Sequence, residues 1–179
     1  MNKVFALSIC AILAASAIGC GPKTPDGMPD LQPTTITVIQ DGAPLPEAVL
    51  NLQSVDTTSK WTCGGVTDEK GVATIVTHGQ YKGAPIGKYK VSVSKVIGDG
   101  TPPPPTPIDA ESARIYQEYI DSGATYEEFD VVDKTFAIVE TTTLEVEVVK
   151  GKNELSVDVG SAIHEPIEKS SGVAPIPTM

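Results

Sequence analysis

The side chains best suited to chemistry in this chain are two histidines and three cysteines. No motif pairs His78 or His164 with a nucleophile or a metal ligand, so we expect both to be exposed to solvent. The G-x-S-x-G, H-E-x-x-H and Walker patterns are also missing from the sequence. The sequence therefore predicts a protein that is not an enzyme and that uses no cofactor or metal.

Cys20 ends an amino-terminal segment with the composition of an export signal. Lys3 precedes an apolar run over residues 4–18, which is shorter than the ~20 residues of a membrane-spanning helix. The tetrapeptide Ala17-Ile18-Gly19-Cys20 resembles the cleavage site of bacterial lipoproteins, although Ala17 stands where leucine is usual. This resemblance implies removal of residues 1–19 and acylation of Cys20, which would anchor the protein to a membrane. The alternative is an ordinary signal peptide in which Cys20 stays unmodified.

The residue after the cysteine bears on which membrane would carry the anchor. Gly21 follows Cys20 where an aspartate would act as a retention signal in enteric bacteria. By that resemblance we expect the bacterial cell envelope as the location, with the outer membrane favoured.

Cys63 is the one cysteine outside the signal and its cleavage site, since Cys10 lies within the apolar run. A lone thiol cannot form an intramolecular disulfide and does not make a metal site. We expect Cys63 to be a small buried residue on a strand over residues 60–66, with Trp61 packing beside it.

The charge balance excludes one class of partner. Asp and Glu number 23 against 13 Lys and Arg, giving a net charge of −10, and the single arginine is Arg114. Proteins that bind nucleic acid need clustered basic side chains for the phosphates, so we expect no nucleic-acid partner.

Seven segments show the apolar alternation of half-buried strands. They are residues 34–40, 48–53, 60–66, 73–75, 88–94, 143–148 and 155–159. Asp41-Gly42 and Gly151-Lys152-Asn153 are turn signals, and Asn153 suits a left-handed turn position. Because each strand has one apolar face, two sheets packed face to face would bury them all.

Residues 97–139 interrupt this alternation and form what we call the insert. Four prolines at positions 102–105 predict polyproline II, and Asp109 caps a predicted helix over Ala110–Asp121. The insert contains nine acidic residues and only two basic ones, Arg114 and Lys134.

The aromatic residues of the insert allow two interpretations. Either they fasten the insert to the sandwich, or they contact a sugar or a protein partner. The candidate contact residues are Tyr116, Tyr119, Tyr126 and Phe129. A calcium site is a further alternative, because hard cations prefer clustered carboxylates. Its ligands would be Asp121, Glu127, Glu128 and Asp130.

Four motifs in order resemble carboxypeptidase regulatory-like domains. The first is Asp41-Gly42-Ala43-Pro44-Leu45-Pro46-Glu47-Ala48, and the second is Gly65-Val66-Thr67-Asp68-Glu69-Lys70-Gly71. The third is the run Gly87-Lys88-Tyr89-Lys90-Val91-Ser92-Val93, and the fourth pairs Leu144-Glu145-Val146 with the turn at Gly151. The resemblance implies an all-β fold, a seven-stranded transthyretin-like (prealbumin-like) Greek-key sandwich with one helix-containing insert.

The resemblance also suggests a division of the chain and a role. We expect a signal peptide over residues 1–19, a flexible tether over 20–33, the sandwich over 34–159 and a flexible tail over 160–179. Domains of this type commonly serve as non-catalytic structural or interaction modules. The expected function is therefore that of a lipid-anchored envelope module. The alternative is an envelope protein that binds carbohydrate or calcium through the insert.

Overall fold

Strands dominate the structure, a computed structural model that describes residues 25–167. This part of the chain contains fifteen strands and two helices, which confirms an all-β sandwich. It differs from the expected seven strands because several short strands flank the long ones. The strands are β1 (Leu31–Gln32), β2 (Thr34–Gln40), β3 (Ala43–Pro44), β4 (Val49–Ser54), β5 (Cys63–Val66), β6 (Val72–Thr74), β7 (Val76–Thr77), β8 (Tyr81–Lys82), β9 (Ala84–Pro85), β10 (Gly87–Ser94), β11 (Val96–Gly100), β12 (Tyr126–Asp130), β13 (Glu145–Val148), β14 (Asn153–Asp158) and β15 (Glu165–Pro166). The helices are α1 (Ala110–Asp121) and α2 (Lys134–Ala137).

Two sheets make up the sandwich. The larger has the order β13-β10-β4-β5-β7-β8, and all of its neighbouring strands are antiparallel. The smaller has β2 at its centre, with β14 parallel on one side and β3 and β6 antiparallel. The parallel pair places the last long strand beside the first.

The core lies between these sheets and contains the side chains that the alternation predicts. Ile36 and Val38 of β2 are fully buried, as are Val91 and Val93 of β10. Tyr89 is 2 % exposed, and its hydroxyl donates to the Pro85 carbonyl at 2.8 Å. Burial of the phenol, with Cys63 nearby, raises the pKa of Tyr89 to about 12. The alternation in the sequence therefore locates the core correctly.

The turn between β5 and β6 explains the second sequence motif. The buried Thr67 hydroxyl accepts from the Ala48 amide and donates to the Leu45 carbonyl, each at 2.7 Å. Asp68 Oδ1 accepts from the Lys70 and Val72 amides, each at 2.9 Å.

Gly71 ends that turn with φ at +71°, and a Cβ there would lie 2.8 Å from Pro44 Cβ. Glycine is required both by the left-handed backbone and by the close approach. The motif is thus a turn that fastens β6 to the segment before β4.

The insert contains strands that the sequence did not reveal. β11 pairs with β12, and β12 pairs with β15, so a third sheet of three strands lies beside the sandwich. The prediction of helix α1 is confirmed over Ala110–Asp121, with Asp109 as its N-cap. The Asp109 carboxylate accepts from the Ser112 amide at 2.8 Å, and the Ser112 hydroxyl accepts from the Asp109 amide at 3.1 Å.

Strand pairing extends beyond residues 34–159 at both ends. β1 pairs with β9, so the chain joins the domain at Leu31, before the expected start at Thr34. At the other end Glu165 and Pro166 belong to the insert's sheet, although a loose tail was expected from Gly160. In each case, pairing over two residues attaches a segment with the composition of a linker to the rest of the domain.

Two local predictions also need correction. The strand expected over residues 60–66 begins only at Cys63, so Trp61 lies in the preceding loop. Asn153 is the first residue of β14, is 4 % exposed and is not left-handed. Its side-chain amide donates to the Val149 and Gly151 carbonyls and accepts from the Val149 amide, all at 2.9 Å. It closes the turn through its side chain.

Within residues 25–167, neither helix has the length and apolar character needed to cross a bilayer. Cys20, the expected lipidation site, lies outside the described residues.

Candidate functional site

Three of the four candidate aromatic residues, Tyr119, Tyr126 and Phe129, have contacts within the insert or with the segment that completes its sheet. Tyr116 and Tyr119 are half-buried on α1, and the Tyr119 hydroxyl donates to the Thr101 carbonyl at 2.9 Å. This bond ties the helix to the proline-rich segment. Tyr126 lies over Gly98 of the neighbouring strand, where a Cβ would clash with the tyrosine ring and hydroxyl. Phe129 stacks on His164 with ring centroids 3.9 Å apart.

These four residues do not share one surface. Tyr126 and Phe129 are three positions apart on β12, and alternation along a strand directs them to opposite faces. Tyr116 and Tyr119 lie on a separate element, α1. These four aromatic residues of the insert therefore do not form a single platform.

The acids proposed for calcium are separated in the same way. Glu128 and Asp130 share one face of β12, while Glu127 lies on the other. Asp121 ends α1 and accepts from Gln117 Nε2 at 2.8 Å. Nowhere in residues 25–167 do three or more His, Cys, Asp or Glu side chains form a group that could hold a metal ion.

The two histidines are exposed, as the sequence predicts. His78 has φ at +52° and lies 5.0 Å from the Trp61 ring, centroid to centroid. His164 stacks on Phe129. Each imidazole therefore has an aromatic neighbour.

Cys63 is buried and free, as the sequence predicts. Its Sγ lies 3.4 Å from Thr77 Oγ1. Burial raises the pKa of the Cys63 thiol, and the contact with Thr77 offsets this only in part. A buried thiol with a raised pKa is a poor nucleophile at neutral pH.

A concave surface within residues 25–167 surrounds Trp61, which the sequence interpretation places on a strand beside Cys63. Residues 55–62 form a loop between β4 and β5, which we call the tryptophan loop. Two clefts flank it, with volumes of about 810 Å³ and 680 Å³. Five residues line both clefts, namely Ser54, Asp56, Ser59, Lys60 and Trp61. Trp61 thus lines both clefts, which together we call the groove.

Hydrogen bonds within the tryptophan loop hold its backbone. Asp56 Oδ1 accepts from the Thr58 amide at 2.9 Å and from the Thr58 hydroxyl at 2.7 Å. These bonds lower the pKa of the Asp56 carboxyl, so it is ionised at neutral pH. The Asp56 amide donates to Ser54 Oγ at 3.1 Å. The one signal in the sequence that could have revealed this site is the chain's single tryptophan beside an uninterrupted polar run.

Comparison with known proteins identifies no relative. No family model matches the chain, and neither a curated protein nor a solved structure matches it.

Proposed function

We propose that this chain is a lipid-anchored, non-catalytic module of the bacterial cell envelope with a structural or interaction role. The observation that carries the proposal is Cys20 at the end of a short apolar run, after Ala17-Ile18-Gly19. The first paired residue described, Leu31, follows that cysteine by eleven positions, a spacing that suits a domain held close to a membrane. Gly21 after the cysteine favours the outer membrane.

We further propose that the sandwich is of the transthyretin-like type found in carboxypeptidase regulatory-like domains. Two features support this. The long strands group as β13-β10-β4-β5 and β14-β2-β6. The Thr67-Asp68 motif forms a fastened turn, as expected for a residue pattern that serves the fold rather than a reaction.

A non-catalytic role is supported by the state of the reactive side chains. The Cys63 thiol is buried with a raised pKa, and the two histidines lie beside aromatic rings at separate places. A pairing of nucleophile with base would need one of these groups within hydrogen-bond reach of another.

Metabolic labelling of the expressing bacterium with an alkyne-tagged palmitate tests the anchor. We expect the full chain to take up label and to fractionate with membranes, and Cys20→Ala to lose both properties. Cys63→Ala is the matched control and should keep the label. Label retained by Cys20→Ala, or a mature protein whose amino terminus is not residue 20, would contradict the anchor.

A further inference from the structure

The groove around Trp61 joins an aromatic surface to a polar floor. The buried residues Leu50 and Leu52 of β4 direct the intervening Asn51 and the following Gln53 outward, into the smaller cleft. Ser92 of β10 lies opposite Asn51 in the register and lines the same cleft. Two side-chain amides and a hydroxyl there offer both donors and acceptors.

Apolar side chains continue the groove into the larger cleft. Val55 is 54 % exposed and Ile86 is 57 % exposed, and both line this cleft beside Trp61. A ligand matching the whole groove therefore has apolar faces and hydroxyl-rich edges, which is the chemistry of a pyranose ring.

The charge in the groove is nearly balanced. Lys60 and Lys88 line it together with three carboxylates, those of Asp30, Asp56 and Glu140. The excess is one carboxylate, so the groove is nearly neutral within a chain whose net charge is −10. Arg114, the chain's only arginine, lies on α1 and does not line either cleft. A neutral ligand fits this balance better than a phosphate or an acidic polymer.

The side chains are held before any ligand arrives. The Asp56–Thr58 hydrogen bonds fix the tryptophan loop, and His78 packs against the Trp61 ring. Lys60 Nζ lies over the Trp61 ring, 5.1 Å from its centroid, so a sugar that stacks on this face must displace the long Lys60 side chain. Preorganisation of this kind lowers the ordering cost of binding.

We propose that the two clefts together bind a neutral oligosaccharide or polysaccharide, with Trp61 stacking on a sugar ring. Asn51, Gln53 and Asp56 contact the sugar hydroxyls. The inference adds a ligand class to the proposed interaction role, and it stands whether or not Cys20 carries a lipid. Two adjacent clefts that share Trp61 suit a chain of several sugars better than a monosaccharide.

Tryptophan fluorescence tests the proposal directly, because Trp61 is the chain's only tryptophan. We would titrate the full chain, in a detergent without sugar headgroups, with hexamers of neutral glucose-, mannose-, xylose- and N-acetylglucosamine-based glycans. We expect at least one hexamer to change the emission and to release heat in calorimetry. The monosaccharide from which that hexamer is built should bind more weakly, and hexagalacturonate should not compete with the hexamer for the groove.

Variants separate a binding residue from a structural one. Trp61→Ala, followed by calorimetry, should weaken binding by about tenfold or more, as expected for loss of an aromatic anchor. Trp61→Phe should restore part of the affinity, and Gln53→Ala should weaken binding while leaving the Trp61 emission of the free protein unchanged. Tyr119→Ala in the insert is the matched control and should bind normally.

Three outcomes would overturn the inference. The first is a flat response to the whole panel at millimolar concentration. The second is binding that Trp61→Ala leaves intact while Tyr119→Ala removes it, which would place the site in the insert. The third is a Trp61-dependent peptide selected from a displayed library when every glycan is silent, which would assign the groove to a protein partner. None of these depends on the acylation of Cys20.

Discussion

Individual side chains close the turns of this sandwich through hydrogen bonds to the backbone. Thr67 bridges the Ala48 amide and the Leu45 carbonyl from a buried position, and Asn153 bonds three backbone groups around the β13–β14 turn. A buried amide or carbonyl left without its partner costs about 1–3 kcal/mol. Such polar residues are therefore as much a part of the fold as the apolar core.

The Asp68 carboxylate makes one turn sensitive to acid. Hydrogen bonds from the Val72 and Lys70 amides lower the pKa of Asp68 below its usual 3.8. Stability from this group is fully present above the unfolded-state pKa and is lost as the pH falls through the lower folded-state pKa. We expect Asp68→Asn to lower the melting temperature at pH 7, with the difference from wild type shrinking below pH 4.

Circular dichroism melting over a range of pH would measure this effect. Glu69→Gln neutralises an exposed carboxylate in the same turn and serves as the control. A gap between Asp68→Asn and wild type that stays constant down to pH 2 would show that the charge of Asp68 does not stabilise the turn.

Residue roles were only partly predictable from the sequence. The burial of Cys63 follows from its apolar character, and the exposure of the histidines from their loop context. Trp61 is predicted on the strand beside Cys63 because it adjoins an alternating segment, but it lies in the loop before that strand. Its actual place depends on where β5 begins, and only the pairing of Cys63 with Leu52 and Thr77 fixes that point.

At the scale of elements, the insert's sheet depends on one close contact between strands. The Tyr126 ring covers Gly98, and any Cβ at that position would enter the ring. Gly98 does not have a positive φ, so alanine is compatible with its backbone. Glycine is needed here for the space that it leaves.

We expect Gly98→Ala to lower the free energy of unfolding of β11 and β12 by about 1–3 kcal/mol, the usual cost of overpacking. Hydrogen exchange of the amides in these two strands is the measurement. The double variant Gly98→Ala with Tyr126→Ala should lose less stability than the sum of the single variants, because removing the ring removes the clash. Asp99→Ala, on the same strand, is the control. Strict additivity of the two single effects would contradict the contact.

The elements differ in how far the local sequence determines their conformation. Helix α1 was predictable because its cap and its periodicity lie within a dozen residues. β11 was not, since the sequence Val-Ile-Gly-Asp-Gly is exposed throughout and has no alternation. Its strand conformation depends on β12, which lies about 30 residues later in the chain. No local pattern could have revealed that pairing.

At the scale of the whole molecule, the insert's sheet is completed by the segment that follows the sandwich. Ile163 and Ile167 donate to the Val131 and Glu128 carbonyls at 3.2 Å and 2.8 Å. Glu165 lies 3.1 Å from Lys134 as an exposed ion pair, which contributes little on its own. The main stabilisation of this junction is therefore the strand pairing and the stack of Phe129 on His164.

Ending the chain after Gly160 should separate the two parts. We expect the sandwich to keep most of its melting temperature, because its core lies between residues 36 and 159. Hydrogen exchange in β12 should accelerate, because its pairing with β15 is gone. His164→Ala alone should give a smaller acceleration. Cooperative loss of the whole sandwich on truncation would show that the segment after Gly160 supports the core as well.

The sequence was sufficient for the all-β class and for the core of the sandwich, but not for the insert's sheet or the candidate site. Alternation of apolar residues is a property of each strand, so it can be recognised without knowing which strands are its neighbours. The groove at Trp61 arises instead from four separate parts of the chain, near residues 29, 57, 88 and 138, which the fold brings together. Only a three-dimensional structure can show that these parts meet.

The side-by-side placement of β2 and β14 has a consequence for how the protein reaches its native state. Thr34 pairs with Asn153, so 119 positions of chain separate partners within one sheet. Such distant pairing slows folding, because a long loop must close before the contact is gained. The first long strand therefore stays without this neighbour until the last long strand is also free to pair. During that interval its edge is open to chaperones.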